Sequence, residues 1–316
     1  MKRRVTRILA LFGALSLVVG TMVCQGATAE LAREIVPLER EGVKLYLESF
    51  RARDAQEKDP ILLVHGLTYS SHEFDVNYGD YSLLRFLVAN GYEVWLLDIA
   101  GYGNSQPVED GFRPNSDYAA EDIAAAVRLI LARCGREAMD VLGWSWGTVT
   151  SGRFAAKYPE LVRRLVLYAP IVAGLADVKV TSPFNENTWV HAAGDFQVKA
   201  DKTIDYDIVE PAVADTFLSN CWRYDKNSSP NGGRRDLLVA PDKRLIPTAD
   251  IKAPVLIIAG SKDDYVSPAL CEEAFATLSN KDSRIEIIAG AAHAMMMEKP
   301  YYRVFRAKVL EFLKAE

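Results

Sequence analysis

Six short apolar runs rich in Val, Ile and Leu punctuate this chain, and stretches long enough for a helix separate most of them. They fall at 61–64, 93–97, 139–142, 165–168, 255–258 and 285–288. Their apolar residues are continuous rather than alternating. A strand with one wet face alternates, so these runs need cover on both faces, which is the condition of a parallel sheet. The intervening stretches read as helices. Residues 81–90 end at Gly91, a C-cap residue, and 117–133 carry Ile123, Val127, Ile130 and Leu131 at helical spacing before Gly135. Residues 148–158, 268–278 and 301–314 read the same way, while 35–50 read as an antiparallel hairpin turning near Glu41 and Gly42. Alternating strand and helix predicts an α/β fold with right-handed crossovers.

One interval breaks the rhythm. Residues 171–250 hold no comparable apolar run, and eighty residues cannot be a bare loop in a compact domain. The segment is rich in aromatics, among them Phe184, Trp189, Phe196, Tyr206, Phe217, Trp222 and Tyr224. It is expected to be an inserted, mainly helical lid. The core is then 30–170 and 251–316.

The first residues are read apart from the fold. Lys2, Arg3, Arg4 and Arg7 precede an apolar run over 8–23, and Ala27-Thr28-Ala29 offers small residues around a cleavage point. This is the pattern of a secretory signal peptide over 1–29. The run is shorter than the roughly 20 residues of a spanning helix. The expectation is therefore export, periplasmic or secreted, with no stable membrane anchor after cleavage. A lipoprotein route through Cys24 is weakened by the bulky Val23 before it. Cleavage would remove four of the 37 basic residues and none of the 42 acidic ones, taking the net charge from −5 to about −9. Such a surface repels phosphate backbones, so nucleic acid is not an expected partner. Cys134, Cys221 and Cys271 fit no metal-ligand spacing, and buried free thiols are the simplest reading of an odd count, ahead of one bridge and one free thiol.

The chemistry is carried by Gly143-Trp144-Ser145-Trp146-Gly147, which follows an apolar strand and opens a helix. A serine hydroxyl is a weak nucleophile until a base takes its proton. A sharp strand-to-helix turn presents it, and glycines two before and two after leave room for the close backbone contacts of such a turn. The base must be one of His65, His72, His191 and His293. His293 lies just past the last apolar strand and is the favoured base. His65, tied to Gly66 in a turn, is expected to organise backbone, and His72 and His191 to be surface or lid residues. An acid to orient the imidazole should end the preceding strand, where Asp263 is favoured and its neighbour Asp264 could replace it. Donors for a developing oxyanion are expected from the backbone N–H groups of Trp146 and Leu67.

Together these residues resemble the α/β-hydrolase family, over about residues 43–312. The order Ser145, Asp263, His293 is the family's order. His65-Gly66 resembles its oxyanion-loop dipeptide, and Asp98 to Ser105 resembles its Asp-x-x-Gly-x-Gly-x-Ser turn, a structural turn rather than a phosphate cradle. The resemblance implies a mostly parallel eight-stranded sheet flanked by helices, a lid over the site, and a serine hydrolase needing no cofactor and no metal. A carboxylic ester of a small or acyl-chain substrate is the leading expectation, with an acyl-enzyme intermediate. Trp144 and Tyr69 are candidate substrate-binding residues. Two other readings stay open. The sequence Gly-x-Ser-Trp-Gly is shared with prolyl aminopeptidases, but the loop here is His65-Gly66-Leu67-Thr68 rather than their His-Gly-Gly-Pro-Gly; carbon–carbon bond hydrolysis on the same triad is also open. A non-catalytic binding protein would be expected to have lost a triad member.

Overall fold

The computed structural model describes residues 31–53 and 59–315. The expected leader over 1–29 lies outside the described residues. An antiparallel hairpin comes first, β1 (Leu31–Arg40) and β2 (Val43–Ala52), turning at Glu41 and Gly42, which both take positive φ. Strand and helix then alternate: β3 (Asp59–Val64), α1 (Leu83–Ala89), β4 (Tyr92–Asp98), α2 (Ser116–Cys134), β5 (Met139–Trp144), α3 (Trp146–Lys157) and β6 (Val162–Tyr168). The interval that follows holds β7 (Phe184–Glu186), α4 (Trp189–Ala193), α5 (Pro211–Asp225), β8 (Ser228–Pro230) and α6 (Gly232–Leu237). The alternation resumes with β9 (Val255–Gly260), α7 (Pro268–Thr277), β10 (Arg284–Ile288) and α8 (Tyr302–Leu313).

Eight strands form one sheet in the order β1-β2-β4-β3-β5-β6-β9-β10. From β4 to β10 every pairing is parallel, and only β2, antiparallel to both β1 and β4, runs against the rest. Ile61, Leu62, Leu63 and Val64 of the central β3 are wholly buried, as continuous apolar runs demand. Each such side chain contributes about 1.5–3 kcal/mol relative to exposure. The edges differ: β1 alternates between half-buried and exposed residues, and β10 is half-buried throughout. Helix α2 starts on Asn115, whose side chain accepts from the N–H groups of Asp117 and Tyr118, and stops at Gly135 in the left-handed region.

This order matters for the site. From β3 the chain steps to β4 on one side and later to β5 on the other, so β3 and β5 diverge in their connections at neighbouring positions. Ligands of open α/β sheets bind outside the carboxyl ends of strands at such a reversal. The loops after β3 and β5 therefore face one crevice.

The interval 171–250 leaves at the end of β6 and returns to β9, which pairs directly with β6. Its helical character is concentrated in α5, of 15 residues; α4 and α6 are short, β7 and β8 form a two-stranded antiparallel patch, and irregular chain joins them. Helix α5 lies over the segment that follows β3. The Asn220 amide donates to the carbonyls of His72 and Asp75, and the Tyr224 ring stacks on His72 at 3.5 Å. His72 is thus not the surface or lid residue anticipated but a buried side chain of the core loop beneath α5, with burial lowering its pKa to about 4. Cys221 and Cys271 are buried thiols and Cys134 is half-buried; none is bonded to another.

The turn over Asp98 to Ser105 is built as a structural turn. The Asp98 carboxylate accepts from the backbone N–H groups of Ser71 and Asn104 at 3.0 and 2.8 Å, so those donors are spent within the turn. A Cβ on Gly103 would lie 2.3 Å from Asp98 Oδ2, so only glycine fits.

Candidate active site

The site begins at the end of β5. Ser145 has φ 56° and ψ −121°, a left-handed conformation that a side-chain-bearing residue adopts only when its surroundings enforce it. The flanking glycines enable it. A Cβ on Gly143 would lie 2.2 Å from the Gly147 carbonyl, and one on Gly147 would lie 2.3 Å from that of Val64. Ser145 N–H donates to the Tyr168 carbonyl at 3.0 Å, fixing the turn to β6.

His293 sits in the loop after β10, which packs tightly on the end of β9. A Cβ on Gly260 would meet the Ala291 carbonyl at 2.2 Å. The histidine's own carbonyl accepts from the Trp144 indole at 3.2 Å and the Tyr168 hydroxyl at 2.7 Å. Glu298 accepts from the Ala292 N–H at 3.1 Å, so the loop is held on both sides of the ring. His293 Nδ1 donates to Asp263 Oδ2 at 2.8 Å, and Asp263 Oδ1 accepts from the Tyr265 N–H at 2.9 Å. That bond fixes the tautomer and leaves Nε2 with a free lone pair. Burial alone would lower the pKa of His293, but the Asp263, Asp195 and Glu298 carboxylates carry it above the ordinary histidine value.

Ser145 and His293 line one cavity of about 180 Å³, together with Leu67, Thr68, Asp195, Arg234 and Tyr265. The ring's carboxylate partner is Asp263, while Asp264 is exposed. Among the described residues, the backbone N–H groups of Leu67 and Trp146 donate to no protein acceptor; Trp146 follows Ser145 in sequence and Leu67 lines the same cavity. Two groups stiffen the loop carrying Leu67. Glu73, a buried carboxyl that burial pushes well up in pKa, accepts from the Gly66 N–H at 2.9 Å. His65 is wholly buried, with Nδ1 donating to the Gly66 carbonyl at 2.8 Å and Nε2 accepting from the Ile99 N–H at 3.1 Å. Burial lowers its pKa to about 4, so it stays neutral and holds backbone, as its place beside Gly66 suggested. His191, on α4, lines the cavity from the insertion.

The aromatic residues anticipated as a binding surface do not form one. Trp144 is buried and spends its indole N–H on the His293 loop; Tyr69 is buried with its hydroxyl unpartnered; Trp146 is wholly buried with its N–H on Ser116 Oγ at 2.9 Å. Neither Trp144 nor Tyr69 lines the cavity. Its apolar wall comes instead from aliphatic side chains, Ile171, Leu175, Leu237 and Leu238. Its polar wall includes two side chains of the insertion that the sequence reading did not single out, Asp195 and Arg234. Among the described residues no three His, Cys, Asp or Glu side chains cluster as a metal site, and no helix is long and apolar enough to cross a membrane.

A family model described as serine aminopeptidase, S33, matches residues 55–300. The chain is 28% identical over 277 residues to a pimeloyl-[acyl-carrier protein] methyl ester esterase of Neisseria meningitidis serogroup B, covering 83% of this chain and 94% of that one. It is 22% identical over 272 residues to an uncharacterized carboxylesterase, nap, of Bacillus subtilis, covering 84% and 82%. Among solved structures, a hydrolase from Pseudomonas aeruginosa superimposes with a TM-score of 0.65 at 20% identity, over 89% of this chain and 98% of that one.

Proposed function

This chain belongs to the S33 serine aminopeptidase family of α/β-hydrolases, and from that membership we propose that it is a serine hydrolase cleaving a carboxylic ester of a small or acyl-chain substrate. The observation that carries the reading is the His293–Asp263 bond at 2.8 Å on the wall of the same cavity as Ser145, held at φ 56°. The named relatives that are ester hydrolases support an ester rather than another acyl compound.

In this reading His293 Nε2 takes the Ser145 hydroxyl proton as Oγ bonds to the ester carbonyl carbon. The oxygen of the tetrahedral intermediate receives the N–H groups of Leu67 and Trp146, which no protein acceptor has claimed. Asp263 keeps the imidazolium in place while it protonates the leaving alkoxide, and the alcohol departs. Water then repeats the sequence on the acyl-enzyme: His293 takes its proton, the hydroxide adds to the carbonyl, and Ser145 Oγ leaves with that proton as the acid is released. The mechanism calls for no metal or organic cofactor. Residues 171–250 serve as a lid, since Asp195, Arg234 and His191 come from that stretch. The basic and apolar pattern over 1–29 supports export.

A p-nitrophenyl ester series from acetate to palmitate, on wild-type and Ser145→Ala protein, tests the assignment. Turnover abolished in the variant is the expected result, with short chains preferred for a cavity of this size. Asp195 favours a second reading, because a carboxylate on the wall of the nucleophile's cavity would suit an amine-bearing amide. Aminoacyl p-nitroanilides hydrolysed faster than any ester would make that reading the better one.

A further inference from the structure

Arg234 stands on the cavity wall with Ser145 and has no acidic partner among the described residues. Its Nη1 donates to Asn231 Oδ1 and its Nη2 to Thr68 Oγ1, both at 2.8 Å and both to neutral oxygens. Other half-buried arginines of this chain behave differently: Arg40 meets Asp122 at 2.6 Å and Arg163 meets Asp140 at 2.5 Å. A guanidinium has five donors, so three N–H groups of Arg234 remain. The titratable groups that feel its charge are His191, Tyr69, Tyr102 and Tyr265, none of them a carboxylate. A cation drawn partly out of water without a counter-charge is costly, and burial lowers its pKa accordingly. The arrangement makes sense when an anion arrives with the substrate.

Building on the ester-hydrolase reading, we propose that Arg234 is a substrate-binding residue and that the preferred ester carries a second, free carboxylate. Thr68, which holds the guanidinium, directly follows Leu67, the proposed oxyanion donor. The distance from anion to reacting carbonyl is therefore short, and a cavity of about 180 Å³ admits only a small acid. Monoesters of short dicarboxylic acids fit both conditions. A planar guanidinium pairs with a carboxylate through two parallel hydrogen bonds, which an ammonium cannot reproduce. Asp195 sets the orientation. It lines the same cavity, but the charged groups it feels are His293 and Asp263, so it lies toward the histidine and turns an anion toward Arg234.

The test compares monomethyl glutarate with its neutral isostere methyl glutaramate. Wild-type protein should favour the carboxylate in kcat/KM by roughly 10- to 100-fold, the range of a charge-assisted hydrogen bond. In Arg234→Gln the ratio should fall to near one, and Arg234→Lys should keep part of it. Binding of glutarate to Ser145→Ala protein, read by calorimetry, should disappear when Arg234→Gln is added. Wild-type protein that turns over both esters equally, or binds no glutarate, overturns the role of Arg234 and leaves the ester assignment standing. Glutarate binding that depends on Arg234, with no ester hydrolysed, does the reverse.

Discussion

The Tyr168 hydroxyl donates to the carbonyl of His293 at 2.7 Å while accepting the Met296 N–H at 3.2 Å, so a side chain at the end of β6 carries the loop of the proposed base. Tyr168 is wholly buried, and its ring is stacked on Trp144 with centroids 5.6 Å apart. Tyr168→Phe keeps that ring and removes only the hydroxyl. The Met296 N–H loses its acceptor, and the His293 carbonyl keeps only the Trp144 indole. The variant should lose about 1–3 kcal/mol of stability. Its kcat should fall roughly 10-fold with KM nearly constant, because the ring moves relative to Ser145 without any loss of substrate contact. Equal falls in 1/KM and kcat would place Tyr168 in substrate binding instead.

Ser145 offers a test in which stability and activity part company. Ser145→Ala should cut turnover by roughly 10⁴ to 10⁶ and leave the fold intact. Ser145→Gly should be equally inactive, yet more stable than the alanine variant by about 1 kcal/mol, because glycine adopts φ 56° without strain. Thermal melts of the two variants decide it. A glycine variant that melts at or below the alanine variant would mean that the turn stores no strain at this residue.

What could be read from the chain depended on how local each signal was. Five of the six runs were legible because a strand buried on both faces leaves a continuous apolar run, as β3 and β9 do, whereas β10 is a half-buried edge strand. Ser145 was legible because its turn demands glycine at 143 and 147, and His293 because each strand end delivers its loop to one edge of the sheet. Trp144 and Tyr69 do not line the cavity. Aromatic type alone does not say whether a ring lines a cavity or braces a loop, and Trp144 does the second. Asp195 left no signal and Arg234 only one, since they reach the cavity from an insertion whose path is set by tertiary contacts rather than by periodicity. The one hint for Arg234 was a charged residue after Gly232 and Gly233, where glycine is required: a Cβ on Gly233 would lie 2.5 Å from the Trp146 ring.

The pH profile should follow His293. The base acts only when neutral, and its pKa is raised above 6.5. Burial opposes that shift, while Asp263 and the more distant carboxylates drive it. In kcat/KM the acid limb should therefore rise with a midpoint above pH 6.5. Asp263→Asn removes the largest raising influence and the acceptor that sets the tautomer. The limb should move to lower pH while the plateau falls by roughly 10⁴. A limb that stays in place in the variant would assign the titration to another group.

A buried carboxylate is one of the groups that fasten the insertion to the core, and its contribution should depend on pH. Asp225, the last residue of α5, accepts at Oδ2 from the Ser70 N–H and Ser70 hydroxyl and at Oδ1 from the Gly103 N–H, each at 2.9 Å. Burial pushes its pKa up to about 7, with the nearby Asp98 adding to the rise. An unfolded aspartate titrates at about 3.9. The folded state thus binds this proton more tightly than the unfolded state does. Its contribution to stability is complete below pH 4 and is lost as pH rises through 7. Asp225→Asn cannot titrate, and its amide must turn an N–H toward one of the three donors, so it should be less stable than wild type where both carry no charge. Lowering the pH from 8 to 5 should therefore widen the advantage of wild type over Asp225→Asn in urea midpoint. A difference that does not change with pH would mean that Asp225 keeps one protonation state across the range and that the fastening is insensitive to acid.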